Sequence, residues 1–174
     1  RIGQSGWMII LVTATEQLPH KEKWVEKLTE RIPQVETIVH NVNSKCTNVI
    51  LGPKNHILYG EGTITDHIKD LQFTLSPHSF FQVNPEQTTV LYDQALAYAD
   101  LKGDETVIDA YCGTGTISLF LAHKAKHVIG IEIVEPAIIN ARENAQRNGY
   151  DNTEFIVADA AVEMPKLYKA GVRP

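Results

Sequence analysis

Cysteine is scarce in this chain: Cys46 and Cys112 are the only two among 174 residues. Two thiols cannot complete a four-cysteine zinc or iron–sulfur site, and a disulfide-stapled secreted scaffold needs more of them. A reducing, cytoplasmic setting is therefore expected. Long apolar runs are missing too. Nothing approaches the ~20 residues a membrane-spanning helix requires, and "WMIILV" from Trp7 is too short for a signal-peptide core. No membrane partner is expected. The seven histidines are scattered and suggest no metal site. Positive charge is in deficit, with 16 Lys and Arg against 21 Asp and Glu. The formal net charge of −5 argues against a dedicated nucleic-acid-binding domain, whose footprint is usually basic. It leaves room for an RNA-modifying enzyme that meets phosphates through a local basic patch.

What is present reads as ordinary globular protein, 43% apolar and 21% charged. Residues 1–76 form a small α+β domain in this reading. "WMIILVTAT" is apolar and β-branched, as a strand requires. "PHKEKWVEKLTERI" places Trp24, Val25, Leu28 and Ile32 at helical spacing, and "VETIVHNV" is a further strand. "NVILGPKNHILYG" predicts a hairpin about its Gly-Pro-Lys-Asn turn, and "GTITDHI" with "LQFTLSP" a second pair of short strands. Mostly antiparallel pairing is expected here.

The texture changes in residues 77–174. Asn84 and Pro85 predict a helix start, with Val90, Leu91, Ala95, Leu96 and Tyr98 along that helix. Strand, helix, strand, helix and strand follow, the pattern of a parallel sheet. The fold class is thus α/β, a partial Rossmann-like sheet preceded by the small α+β subdomain.

In such sheets ligands bind beyond the carboxyl ends of the strands. "VIDAYCGTGTISLF" carries a glycine turn at one such end, where Gly113 and Gly115 permit a tight turn and a close ligand. The helix from Thr116 adds unpaired N–H groups. A dinucleotide and S-adenosylmethionine both suit this arrangement. The dinucleotide fingerprint, however, would need a glycine where Ser118 stands. Asp109, just before the turn, would repel a pyrophosphate and attract an ammonium or sulfonium group. Glu132 ends the next strand, where it can accept from ribose hydroxyls of either ligand. Asp159 ends the third, placed to accept from an adenine amino group. Three carboxylates at successive strand ends favour the cationic ligand, although any one of them taken alone reads as a helix cap or solvated charge.

The run "SPHSFFQVNPEQTTVLYDQAL", followed by "VIDAYCGTGTISLFLA" and "VIGIEIVEPAIINARENAQRNG", resembles the RNA uracil-5-methyltransferase family. The resemblance covers residues 76–161, and "FFQVN" is its specific part. It implies methyl transfer from S-adenosylmethionine to carbon 5 of a uridine in ribosomal or transfer RNA. It also implies that Gln82 contacts the cofactor, that Tyr111 packs on it beside Gly113 and Gly115, and that Thr116 makes a small polar contact. Glu132 would hold the ribose and Asp159 would lie by the adenine.

That chemistry needs a thiolate to attack carbon 6 of the uracil and a base to remove the carbon 5 proton. Cys112 is a poor nucleophile, since it stands among carboxylates beneath the cofactor; it reads as an apolar filler. The resemblance places the nucleophile and the base beyond Pro174, so no catalytic residue is expected here. The chain is read as a fragment whose open apolar edge at residues 106–110 invites self-association. A non-catalytic module binding S-adenosylmethionine or RNA, and a methyltransferase with a non-RNA substrate, remain as alternatives.

Overall fold

The apolar run at Trp7 becomes strand β1 (Trp7–Thr13) in the computed structural model, which describes all of residues 1–174. Helix α1 (Lys21–Arg31) follows and returns the chain to β2 (Val35–Val42). β2 lies between β1 and β3 (Lys54–Tyr59). It is parallel to β1 and antiparallel to β3. The expectation of mostly antiparallel pairing is thus corrected for the first pair: a helical crossover brings consecutive strands side by side in the same direction. Met8, Ile38 and Val39 are buried at this sheet.

The expected hairpin at Gly52-Pro53 is also corrected, because its first arm is a loop and only Lys54–Tyr59 is strand. Asparagine side chains hold that loop. The buried Asn41 donates Nδ2–H to the Gly52 carbonyl at 2.8 Å and accepts from the Gly52 N–H at 2.7 Å. Asn43 donates to the carbonyls of Val49 and Ile50 at 2.7 and 3.0 Å. Side-chain amides that satisfy nearby backbone compete with a strand ladder. β4 (Ile64–Ile68) and β5 (Leu71–Leu75) make the anticipated two-stranded sheet.

Helix α2 (Pro85–Ala99) starts as its sequence requires, with Pro85 in the first turn and Asn84 Oδ1 accepting from the Gln87 N–H at 3.1 Å. Thr88 and Tyr92 are its buried residues, whereas Val90, Leu91 and Tyr98 are exposed. Then come β6 (Thr106–Asp109), α3 (Thr116–Ala122), β7 (His127–Glu132), α4 (Glu135–Arg147), β8 (Thr153–Val157) and α5 (Ala160–Lys169). The three strands are parallel in the order β6-β7-β8. β7 is central and largely buried; β6 is at the edge, with all four residues half-buried. Val128 packs with Leu121, Ala122 and Ala125 on one side, and Ile129 and Ile131 pack with Ala160 on the other. No helix is long and apolar enough to cross a membrane.

Two units result, Arg1–Asp66 with Leu75–His78, and His67–Thr74 with Ser79–Pro174. Residues 67–74 therefore go with the second unit rather than with residues 1–76. The physical reason is side-chain pairing: Asn144 and Asn148 hydrogen-bond the backbone of Thr74 and Gln72.

Candidate functional site

The site begins where β6 ends. Cys112 N–H donates to the Ile131 carbonyl at 3.0 Å, so the chain keeps to β7 past Asp109. The Gly115 N–H then closes a turn on the Cys112 carbonyl at 2.9 Å, and the Leu119 N–H opens α3 on the Gly115 carbonyl at 2.9 Å. Gly113 and Gly115 have φ of 53° and 79°, the left-handed region that disfavours a Cβ. Their surroundings differ. A Cβ on Gly113 would meet nothing within 4 Å, so the outer face of the turn is open. One on Gly115 would come 3.1 Å from the Phe155 ring and 3.2 Å from the Ala141 Cβ, so glycine lets the turn lie against β8 and α4. Tyr111 stands beside the turn with 82% of its surface exposed.

Asp109 is half-buried and accepts from the Ser118 hydroxyl at 2.6 Å and from the Tyr111 N–H. Burial raises its pKa above the ordinary aspartate value, the two donors partly offset that rise, and the nearby Glu132 adds to it. Glu132 binds the end of β7 to the turn: one oxygen accepts from the Gly113 N–H at 3.2 Å, the other from the Val134 N–H at 3.0 Å. A carboxylate offers about four lone-pair positions, so acceptor capacity remains for a ligand. Thr116 Oγ1 lies 3.0 Å from the Tyr92 hydroxyl, which joins α2 to the turn.

Asp159 follows β8, and the Ala158 N–H bonded to the Glu132 carbonyl at 3.0 Å keeps this end beside β7. One Asp159 oxygen accepts from the Ala161 N–H at 2.8 Å and caps α5. Gln82 is half-buried in an irregular segment before α2. Asp109, Tyr111, Gly113, Gly115 and Glu132 gather about one turn, Thr116 opens the helix that follows it and bonds to Tyr92, Asp159 adjoins the rim, and Gln82 comes from a separate stretch.

Cys112 is buried, and a Cβ added to Gly130 would fall 2.9 Å from its Sγ and 2.5 Å from the Phe155 ring. Burial pushes the thiol pKa up, and Asp109 and Glu132 push it further. A thiol held neutral is not a nucleophile; Cys112 fills space under the turn. No group of three or more His, Cys, Asp or Glu side chains could hold a metal ion.

Sequence reasoning missed a row of asparagines. Asn140, Asn144 and Asn148 recur every four residues along α4 and its C-cap, on one helix face. Asn148 both accepts from the Gln72 N–H, at 2.9 Å, and donates to the Gln72 carbonyl, at 2.7 Å. Asn144 accepts from the Thr74 N–H at 2.7 Å and donates to the Thr114 carbonyl at 3.1 Å, which is inside the glycine turn. Asn140 accepts from the Ser79 hydroxyl at 2.9 Å. Their spacing in "NARENAQRN" is the signal that could have revealed them. Ser118, too, does more than break the dinucleotide fingerprint, since its hydroxyl serves Asp109.

An anionic rim around an open turn suits a cationic ligand that also carries hydroxyl groups. Residues 101–171 match the family described as "Methyltransferase domain". An uncharacterized RNA methyltransferase of Halalkalibacterium halodurans is 57% identical to this chain over 166 residues, and one of Clostridium tetani is 54% identical. Each match covers 95% of this chain and 36% of the relative, so the chain spans little more than a third of their length. Among solved structures, the Pyrococcus abyssi tRNA (uracil-54, C5)-methyltransferase in complex with S-adenosyl-L-homocysteine superposes with a TM-score of 0.72 at 29% identity. That match covers 91% of this chain and 38% of the other. The fold is that of the Rossmann-like methyltransferases, and the open Gly113 face with its carboxylate rim fits their cofactor, S-adenosylmethionine.

Proposed function

We propose that this chain supplies the cofactor cradle of an S-adenosylmethionine-dependent RNA methyltransferase acting on carbon 5 of a uridine in ribosomal or transfer RNA. The observation that carries the reading is the pair of carboxylates, Asp109 and Glu132, at successive strand ends about a glycine turn whose outer face is open. The likeness to a tRNA uracil-5 methyltransferase structure supports the choice of base. A cytoplasmic setting, where ribosomal and transfer RNA are met, is part of this proposal.

In this reading Asp109 faces the ammonium and sulfonium charges, oriented by the hydroxyl of Ser118. Glu132 accepts from the ribose hydroxyls while its bonds to Gly113 and Val134 keep it in place. Tyr111 covers the ligand from the solvent side, Thr116 and Gln82 add polar contacts, and Asp159 uses its remaining oxygen for the adenine amino group. When bound, the cofactor supplies an electrophilic methyl group. The protein's part here is to hold charge and orientation, since Cys112 is not a nucleophile.

Calorimetric titration of the 174-residue chain with S-adenosylhomocysteine tests the cradle, with NAD as comparison. Saturable binding of the first ligand alone is expected, weakened roughly 10- to 100-fold in Glu132→Ala by loss of charged hydrogen bonds. Binding of NAD instead would overturn the reading. Base specificity is tested on the longer protein that carries this chain, with an RNA transcript and labelled S-adenosylmethionine; label on any base but uracil removes that part. We also infer that the edge strand β6 mediates self-association of the chain. Sedimentation of the same samples checks this, and a strictly monomeric chain at high concentration refutes it.

A further inference from the structure

Helix α1 has no fully buried residue. Val25, Leu28 and Thr29 are half-buried, whereas Trp24, a large aromatic at the same helical spacing, keeps 50% of its surface exposed. A recess of about 240 Å³ opens beside it, lined by His20, Lys23, Trp24 and Lys27. With about 100° between successive helix residues, His20, Trp24, Lys27 and Arg31 share one stripe and Lys23 flanks it. Glu22 and Glu26 project from the other side; Glu26 lies one turn from Lys23 and Glu30 one turn from Lys27. Neither Lys23 nor Lys27 takes part in an ion pair. A chain of net charge −5 thus carries unpaired cations around a half-exposed indole.

Resting on the RNA-methyltransferase reading above, we propose that this face of α1 binds single-stranded RNA, with a base stacked on Trp24 and the adjoining phosphates met by Lys23 and Lys27. Unpaired bases stack on aromatic faces, and backbone phosphates seek flanking cations. Charge complementarity selects the occupant: two unpaired ammonium groups attract a polyanion, and the flat indole offers a base a stacking face. Sequence is not read here, since every base has a stacking face. The patch serves as a general RNA-docking surface on the first unit.

The test uses the 174-residue chain and an oligouridylate of about a dozen nucleotides, a length within the ~4–16 nucleotides typical of single-strand sites. In a Trp7→Phe background, RNA should quench Trp24 fluorescence saturably. Trp24→Leu should weaken binding of labelled RNA on the order of tenfold, the scale of one stacked base. A Lys23→Gln, Lys27→Gln double variant should reduce the slope of log affinity against log salt by about 1.4, or ~0.7 for each phosphate left without its lysine. Melting curves should stay unchanged. Binding of S-adenosylhomocysteine, measured on the same samples, should be intact. Wild-type RNA affinity in all these variants, no quenching, or equal affinity for polyglutamate would overturn the proposal. Intact cofactor binding beside any of those results would leave the methyltransferase reading standing; loss of cofactor binding in the unmutated chain would be the failure of that reading.

Discussion

Replacing Asn144 with alanine removes two buried hydrogen bonds at once, leaving the Thr74 N–H and the Thr114 carbonyl without partners. An unsatisfied buried polar group costs about 1–3 kcal/mol, so the variant should lose roughly 2–6 kcal/mol of the ~5–15 kcal/mol typical of a domain. Asn148→Ala is the fitting comparator: it breaks two bonds to Gln72 and one to the Asn144 carbonyl, all in less buried surroundings. Its loss should be smaller. Scanning calorimetry serves as the assay because two units can melt separately, and hydrogen exchange then locates the damage. The Thr74 amide should lose protection in Asn144→Ala. Since Thr114 belongs to the glycine turn, S-adenosylhomocysteine binding should weaken with Asn144→Ala and stay near normal with Asn148→Ala. A loss below about 1 kcal/mol for Asn144→Ala, on the scale of one ordinary hydrogen bond, would show that these two groups find other partners and that the row of asparagines is not a structural tie.

Two further outcomes follow from the electrostatics of the turn. Burial holds the pKa of Asp109 above its unfolded value, so the folded chain binds that proton more tightly. On this account stability is greatest below the ordinary aspartate range and falls as pH rises through the raised value. Asp109→Asn should flatten that fall and be at least as stable at neutral pH, while S-adenosylhomocysteine binding weakens roughly tenfold or more; a steeper fall in urea midpoints from acid to neutral pH would refute the sign. With its thiol pKa raised, Cys112 should resist iodoacetamide at pH 8 in the folded chain while the exposed Cys46 is labelled. Peptide mass spectrometry reads this directly, and rapid native labelling of Cys112 would contradict its buried, neutral state.

The parallel sheet β6-β7-β8 was legible because its signals are local: apolar runs, alternating helical patterns, and Asn84-Pro85 at a helix start. The gathering of Asp109, the two glycines and Glu132 about one turn was legible for the same reason, as they lie at the ends of those runs; that they hold the cofactor is the proposal. What escaped depended on partners distant in sequence. Asn41 satisfies Gly52 eleven residues away and turns an apparent strand into a loop. Asn144 meets Thr74 across seventy residues. Pairing direction escaped for a related reason: α1 is visible between β1 and β2, but periodicity alone does not say which strand the returning chain will lie against. Trp24 fitted an amphipathic helix, and only its exposure separates it from the packed residues beside it.

The last asparagine of the row is followed directly by Gly149. In a disordered chain, Asn-Gly is the dipeptide at which the side-chain amide is most readily attacked by the next backbone nitrogen, releasing ammonia and leaving aspartate or isoaspartate. Folding restrains both reactants here. The Asn148 amide is engaged with Gln72, and the Gly149 N–H is directed at the Gln146 carbonyl, 3.2 Å away. Conversion would replace the donor facing the Gln72 carbonyl with an anionic oxygen, so each damaged molecule would also be harder to refold. Position 148 is thereby a chemical clock that runs while the chain is open and stops when it closes, and the fraction of chains deamidated there records the time a sample has spent unfolded.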